Sequence, residues 1–329
     1  MASTPSFFAR YPRNQKALIL AMQESHLQGV ATRKMKRATE RLCGTTFTES
    51  LVCRLSEDLD AEIEAWRSRP LTSSYPYVII DALDGYVRED GRVVCRPALI
   101  AEGISQSGHR EMLAIELAHA EGDALWKGVF HGLKERGLGG ALLVISGKHK
   151  GLPSAVQDQF NGSVQWQYCQ TCFQREIRRL LPGSEQARLA KGLRKVFAAQ
   201  SLGSAESLIF ELITCYGHHY PRLADKLTRC GEYALTCFGF PAAHRRKVGT
   251  TNGLNRFKRE VGRRTNIVRV FPNDRAFLRL VGALAMEQSE DWLTGKRYLN
   301  MSPLYEIFPA YESQASEPHS SAGFDQRDT

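Results

Sequence analysis

Apolar residues recur every three or four positions over the first 70 residues of the chain, a spacing typical of amphipathic helices. The pattern predicts one helix over residues 15–27, a second that begins after Thr32 and ends before Gly44, and a third that begins after Thr48 and runs to about Trp66. Threonine is a favourable N-cap and glycine a frequent helix end, which supports these limits. This part of the chain is therefore expected to be helical.

The second and third helices are joined by a short turn that contains Gly44, as in a helix-turn-helix DNA-binding unit. The second helix is also strongly basic, and a solvated helical hairpin is the alternative interpretation. Its basic residues are Arg33, Lys34, Lys36, Arg37 and Arg41.

The pattern changes from helical to extended after a linker rich in proline and serine, residues 70–76. Strands are predicted over 77–83, 93–104, 112–117 and 141–145, and helices over 121–136 and 151–160. This order predicts an α/β fold with a mixed sheet. The pattern is helical again from 173 to about 239, and a further helix is expected over 274–294.

The composition restricts the classes of protein that the chain can be. Its 329 residues, 43% of them hydrophobic, are enough for two or three domains. Its 44 Lys and Arg exceed its 35 Asp and Glu, and the net charge of +9 favours a polyanionic partner. Because the sequence has no run of 18 apolar residues and no apolar signal-peptide core at its start, a cytoplasmic protein without membrane contact is expected. The polar residues 312–329 are expected to be disordered.

Of the eight cysteines, only Cys169 and Cys172 have a spacing that suggests chemistry. A Cys-x-x-Cys can form half of a zinc site, but no second close pair of Cys or His follows at zinc-finger spacing, since His218 and His219 are adjacent and far along the chain. A packed, unreactive pair is the favoured interpretation, and a metal site is the alternative.

Six segments, taken in order, resemble the bacterial Mutator-type transposases of insertion sequences, from about Phe8 to Met301. GVATRKMKRATERLCG is similar to the family's helix-turn-helix, SYPYVIIDALDGYVREDGRVV to its first catalytic strand, and LLVISGKHKGL to the segment around its second catalytic carboxylate. WQYCQTCFQRE is similar to the family's Cys-x-x-His segment, with Cys172 in place of the histidine. TTNGLNRFKREVGRRT and FPNDRAFLRLVGALAMEQSEDW are similar to its C-terminal signature.

The resemblance implies a ribonuclease-H-like core in which two aspartates and one glutamate hold two divalent cations, normally Mg²⁺. These cations activate the attacking oxygen and stabilise the leaving oxygen during strand cleavage and transfer. It also implies a helical DNA-binding domain over 1–70, a core over 75–165 that is completed by 248–298, and a helical insertion over 166–247.

The partners implied are double-stranded DNA at the element ends and at the target, and further copies of the chain in a homo-oligomer on the nucleoid. Members of the family have a longer region ahead of Phe8, so part of the end-recognition surface is expected to be missing.

The resemblance places the three catalytic positions at Asp81, Gly147 and Asn255. Asp81, which by itself could be a strand-end cap, keeps its carboxylate, whereas Gly147 replaces the second aspartate and Asn255 the glutamate. Glycine offers no ligand, and a neutral amide lacks the charge that holds Mg²⁺ against water. We expect the three positions to lie close together at the end of the sheet, Asp81 to hold at most a weakly bound cation, and Mg²⁺ not to be bound productively. Whether the chain is an enzyme is therefore left open.

No neighbouring carboxylate is expected to replace the missing ones. Asp84 lies three residues after the retained aspartate and on a strand points to the opposite face. Glu260 lies well off the face of the third catalytic position on a helix. Glu121 and Asp123 are better placed as partners of a helix N-terminus.

Positive charge is concentrated around the expected site. Lys148 and Lys150 flank His149, which is expected to form local hydrogen bonds. The basic stretch over residues 245–264 is expected to contact DNA phosphates, with a solvated charged helix as the alternative. Its basic residues are Arg245, Arg246, Lys247, Arg256, Lys258, Arg259, Arg263 and Arg264.

Two functional hypotheses follow from these features. The first is a transposase that binds element ends and is catalytically impaired. The second is a non-catalytic DNA-binding regulator, derived from a transposase, that occupies element ends. An unrelated metal or redox protein built on the cysteine pair has little support.

Overall fold

The computed structural model describes residues 12–27, 48–119, 122–309 and 311. The predicted second helix with Arg33, Lys34, Lys36 and Arg37 lies outside these residues, as do Glu121 and the polar end over 312–329. Within the described ranges, no helix is both long and apolar enough to cross a membrane.

Two of the predicted N-terminal helices are present, α1 (Arg13–Leu27) and α2 (Glu49–Arg67). The Thr48 hydroxyl accepts a hydrogen bond from the Leu51 amide, so Thr48 is the N-cap that the sequence predicts. The buried face of α2 includes Leu55 and Ile63, at the spacing expected of an amphipathic helix.

The centre of the described chain is a five-stranded mixed sheet in the order β3-β2-β1-β4-β5. The pairs β1–β2 and β2–β3 are antiparallel, whereas β4 pairs in parallel with β1 and with β5. The sheet and its many helices make a mixed α/β fold, which is consistent with a ribonuclease-H-like core. The strands are β1 (Tyr77–Glu89), β2 (Arg92–Ile104), β3 (Arg110–Leu117), β4 (Leu143–Ser146) and β5 (Gln165–Tyr168).

β2, β3 and β4 lie within two residues of their predicted limits, and two larger differences concern β1 and β5. β1 continues past residue 83 because its second half pairs with β2 across a tight turn, where Asp90 and Gly91 have φ of 47° and 77°. β5 is missing from the prediction, because four residues at the sheet edge that alternate with glutamine give too short a pattern.

The other regular elements of the described residues are helices, as predicted over 173–239 and 274–294, with two short 3₁₀ turns at Thr236–Gly239 and Asn252–Leu254. The helices are α3 (Asp123–Glu135), α4 (Leu152–Gln159), α5 (Gln170–Arg178), α6 (Gly183–Phe197), α7 (Leu202–Gly217), α8 (Pro221–Leu235), α9 (Ala242–Val248), α10 (Asn255–Val268), α11 (Asp274–Thr294) and α12 (Ser302–Ile307).

Helices cover both faces of the sheet. On one face Tyr77 and Ile79 share a hydrophobic cluster with buried residues of α1, α2, α10 and α11. On the other face Val78 and Ile80 pack with buried residues of α3 and α4. Because side chains alternate along a strand, Asp81 belongs to the face of Tyr77 and Ile79, towards α10.

A smaller third cluster joins helices α5 to α8 beyond the edge of the sheet, and includes Phe173, Leu193, Tyr216 and Leu227. These helices occupy most of the stretch between the two parts of the expected core.

Helix α11 packs closely on β1. A Cβ built on Gly85 would lie 2.2 Å from the ring of Phe277, a distance that real contacts do not show. The absence of a side chain at Gly85 therefore lets β1 and α11 approach each other closely.

Candidate active site

Asp81 lies on β1, one residue past the segment of that strand that pairs in parallel with β4. Its Oδ1 accepts a hydrogen bond from the Ala82 amide at 2.9 Å, and its Oδ2 forms an ion pair with Lys258 Nζ at 2.9 Å. The side chain of Asp81 is 14% exposed and that of Lys258 is 29% exposed. Because both groups are largely withdrawn from water, their attraction is screened less than that of a surface pair.

Gly147 directly follows β4, at the carboxyl end of the strand. A Cβ added there would lie 3.4 Å from His149 Nε2 and 3.7 Å from Cys172 Sγ, which are ordinary contacts. The position therefore has room for a Cβ, and the space that this atom would fill between His149 and Cys172 is called the gap at Gly147.

The two residues that follow Gly147 have contacts of their own. The His149 amide donates to the Gly147 carbonyl at 3.0 Å, and its ring tilts against Trp126 at 5.3 Å between centroids. Lys148 Nζ approaches Cys230 Sγ at 3.6 Å. Lys258 is thus the cation that pairs with Asp81, whereas the ammonium of Lys148 lies beside Cys230.

Asn255 is the first residue of α10. Its Nδ2 donates to Asn252 Oδ1 at 2.9 Å, and Asn252 Nδ2 donates in turn to Thr171 Oγ1 at 3.3 Å. Lys258 follows Asn255 by three residues and so lies on the neighbouring part of the same helix surface.

Contacts link the three sequence-predicted positions through α5 and α10. Cys172 of α5 borders the gap at Gly147, and Asp81 pairs with Lys258, one turn along α10 from Asn255. The pKa of the Cys172 thiol is raised by its hydrogen bond to Cys169, by burial and by the nearby Asp81 carboxylate. The groups named around this cluster are therefore one carboxylate, one ammonium, two amides, one imidazole and two thiols.

The chain is similar over most of its length to one family of enzymes. The model of the family described as "Transposase, Mutator family" matches residues 3–295. The chain belongs to the Mutator family of transposases.

Curated relatives agree with this assignment. The transposase of the insertion sequence element ISRM5 from Rhizobium meliloti is 37% identical over 299 residues, which cover 91% of this chain and 75% of the relative. The transposase of IS406 from Burkholderia multivorans is 38% identical, with 91% and 77% covered. The transposase of IS256 in transposon Tn4001 from Staphylococcus aureus is 35% identical, with 90% and 77% covered.

The residues of this transposase do not fit the two Mg²⁺ ions implied by the resemblance. Two cations about 4 Å apart need several charged oxygen ligands. Of the three expected ligands only Asp81 has a carboxylate, and Lys258 pairs with it. Among the residues that the structure describes, the group of three possible metal ligands that approach one another is Glu89, His119 and Asp274, whose carboxylates pair with an arginine on β2.

The carboxylates considered as replacements have other partners. Glu260 pairs with Arg263 and Arg264 on its own helix. Asp123 pairs with Lys127 at 2.7 Å.

The predicted DNA-contacting residues of 245–264 divide into anchored and exposed ones. Arg245 donates to three backbone carbonyl oxygens. Lys247 donates to the carbonyl of Tyr298, and Arg264 to Asn14 Oδ1 at 2.9 Å. The exposed members are Arg246, Arg256, Arg259 and Arg263.

A cleft of about 1060 Å³ adjoins the site and separates α6 from α9. Arg194, Arg246 and Lys247 line it, together with Asn252, the partner of Asn255. The basic surface therefore continues up to the hydrogen-bonded pair Asn252 and Asn255.

Sequence reasoning missed a buried carboxylate close to this site. Glu102 on β2 lies opposite Ile79 and is fully buried, and burial raises its pKa to about 7, an effect that Arg110 opposes. Arg110 Nη1 lies 3.6 Å from Glu102 Oε1, and its guanidinium is 3.9 Å from the ring of Trp292 and 4.4 Å from that of Tyr298. The sequence signal for this buried carboxylate was a single acidic residue inside the apolar run over 98–104.

Proposed function

We propose that this transposase binds the ends of an insertion element and no longer cleaves DNA efficiently. The observation that carries the proposal is the ion pair of Asp81 with Lys258, beside two positions without a carboxylate. A divalent cation at Asp81 would have to displace an ammonium and would find no second charged ligand from Gly147 or Asn255. Productive binding of Mg²⁺ is therefore not expected.

Binding to double-stranded DNA is supported by the charge and by the relatives. The net charge is +9, and Arg246, Arg256 and Arg259 are exposed along one basic stretch. The related proteins are named as transposases of insertion sequence elements. Arginine is well suited to phosphate because its planar guanidinium can donate two parallel hydrogen bonds.

A second candidate is a non-catalytic regulator that occupies element ends. The same ion pair favours it, because Lys258 neutralises Asp81 without any metal. In both cases we propose a homo-oligomer that acts on the bacterial nucleoid in the cytoplasm, since bringing two element ends together requires two DNA-binding units.

Strand cleavage of element-end DNA with Mg²⁺ or Mn²⁺ tests the proposal. The unmodified protein should bind this DNA and leave both strands intact. The Asp81→Ala variant is the matched control, because it removes the retained carboxylate. Metal-dependent nicking by the unmodified protein that disappears in Asp81→Ala would overturn the proposal and show that other residues complete the site.

A further inference from the structure

Cys169 and Cys172 lie together at the start of α5. Cys169 is the residue that precedes the helix, and Cys172 is in its first turn. Residues three apart in a helical turn are neighbours, so the two thiols lie close enough to interact, and the interaction lowers the pKa of Cys169 and raises that of Cys172. Cys169 is fully buried, whereas Cys172 is partly exposed and borders the gap at Gly147.

Each sulfur has a hydrogen-bond donor suited to a thiolate. The Thr251 amide donates to Cys169 Sγ at 3.3 Å, and the Thr251 hydroxyl lies 3.6 Å from the same atom. Arg175 Nη2 donates to Cys172 Sγ at 3.4 Å. The hydrogen bond from Cys172, together with these contacts of Thr251, lowers the pKa of Cys169 to about 6. A thiolate is the reactive form in disulfide exchange.

We propose that Cys169 and Cys172 are a redox-active thiol pair, which a low-molecular-weight disulfide such as oxidised glutathione converts into an intramolecular disulfide. The inference is independent of the proposed DNA function, because it rests on α5 and Thr251 alone. It is the alternative to an unreactive pair, which the sequence favours.

The exchange takes place in two steps and needs no other reactant. Cys172, whose thiol is the accessible one, passes its proton to the Cys169 thiolate as its sulfur attacks one sulfur of the oxidised glutathione, forms a mixed disulfide and releases one glutathione thiolate. Cys169 then gives its proton to the released glutathione thiolate, attacks Cys172 Sγ, forms the Cys169–Cys172 bond and releases the second glutathione thiolate. The two protein thiols lose two electrons and two protons, and the two glutathione molecules gain them.

A metal ion explains the pair less well than a disulfide does. Zinc in a structural site takes four ligands. In the described part of the chain, neither cysteine belongs to a group of three His, Cys, Asp or Glu ligand atoms that approach one another. A disulfide needs only the two sulfur atoms, which share the first turn of α5.

The test is thiol mapping of the reduced, full-length protein in glutathione buffers of increasing oxidised fraction. After an acid quench, free thiols are alkylated with N-ethylmaleimide, and the chain is digested with trypsin. Both cysteines lie in one tryptic peptide, residues 151–175. We expect this peptide to lose both alkyl groups and to become lighter by two hydrogen atoms. The exposed Cys53, Cys95 and Cys215 should instead carry glutathione or remain alkylated.

Two single substitutions serve as matched controls. In Cys169→Ser, Cys172 should keep one glutathione, because the second step has lost its attacking thiolate. In Cys172→Ser, the buried Cys169 should stay free. The inference is wrong if both cysteines of the unmodified protein remain alkylated, or carry separate glutathiones, at every buffer composition. That comparison needs no variant and so does not depend on the folding of either substitution.

Discussion

Lys258 is the residue that most changes the chemistry open to Asp81. Its ammonium lies 2.9 Å from the carboxylate, on the helix whose first residue is Asn255. A divalent cation at this carboxylate would be repelled by the ammonium at close range. Restoring the two missing carboxylates therefore leaves one obstacle in place.

We predict that Gly147→Asp with Asn255→Glu binds Mn²⁺ weakly, and that adding Lys258→Ala tightens binding at least tenfold. A Cβ at Gly147 has room, since its nearest neighbours are 3.4 and 3.7 Å away. Calorimetric titration of Mn²⁺ into both variants measures the difference. A tenfold change corresponds to about 1.4 kcal/mol.

Arg259→Ala in the same double variant is the matched control. Arg259 is exposed, is adjacent to Lys258 and carries the same charge, so its removal tests whether net charge alone matters. The prediction is wrong if Arg259→Ala tightens Mn²⁺ binding as much as Lys258→Ala does. Equal affinity of the double and triple variants would also contradict it.

Glu102 should make the stability of the protein depend on pH. Burial raises its pKa from an ordinary 4.5 to about 7 in the folded state, with Arg110 acting in the opposite direction. The neutral carboxyl is therefore favoured by folding. The stabilisation of the folded state by this neutral carboxyl is fully present below about pH 4.5 and is lost as pH rises towards 7.

We predict that Glu102→Gln raises the free energy of unfolding more at pH 8 than at pH 5, and that the two effects differ by up to about 3 kcal/mol. Glutamine keeps the shape of the side chain and cannot ionise. Urea denaturation of the variant and of the unmodified protein at both pH values measures the effect. Glu57→Gln, at an exposed position of α2, is the control, and a pH profile of Glu102→Gln identical to that of the unmodified protein would refute the prediction.

At the scale of elements, α11 connects the N-terminal helices to the sheet. Arg279, 3% exposed, pairs with Glu24 of α1 at 2.6 Å and with Asp60 of α2 at 2.7 Å. One guanidinium thus satisfies carboxylates from two different helices. Removing it would leave both carboxylates partly buried without their cation.

We predict that Arg279→Ala lowers the free energy of unfolding by about 3 kcal/mol, at the low end for a broken buried pair because Asp60 is 32% exposed. Arg275→Ala, at an exposed position of the same helix, should cost less than about 0.5 kcal/mol. Chemical denaturation of the two variants makes the comparison. Equal losses of stability in the two variants would show that the ion pairs of Arg279 do not hold α1 and α2 to α11.

The helices were more predictable than the strands. The spacing of apolar residues predicts α11 over residues 274–294, which are its limits in the structure. It could not predict β5, because four residues do not distinguish a strand from a loop. The second half of β1 was also missed, since it owes its extended form to pairing with β2 rather than to its own pattern.

At the scale of the whole molecule, the fold brings segments that are far apart in the sequence to the surroundings of Asp81. The resemblance to a family predicts Asp81, Gly147 and Asn255 as a group, but nothing in the sequence selects Lys258 from the many basic residues around it. That choice depends on how α10 packs beside β1, which is a tertiary property. The hydrogen bond between Asn255 and Asn252 joins residues three apart in the sequence, so a local pattern could have predicted it.

The salt dependence of DNA binding tests the basic surface as a whole. Each phosphate contact releases about one counterion, so the slope of log K against log salt counts the contacts. Replacing the exposed Arg246, Arg256 and Arg259 with alanine should reduce this slope by about 3 for element-end DNA and weaken binding at low salt. Lys127→Ala, on a helix of the opposite sheet face, should leave the slope unchanged. Fluorescence anisotropy over a range of salt concentrations measures both. An unchanged slope in the triple variant would mean that this stretch is a solvated helix and that the phosphate contacts lie elsewhere.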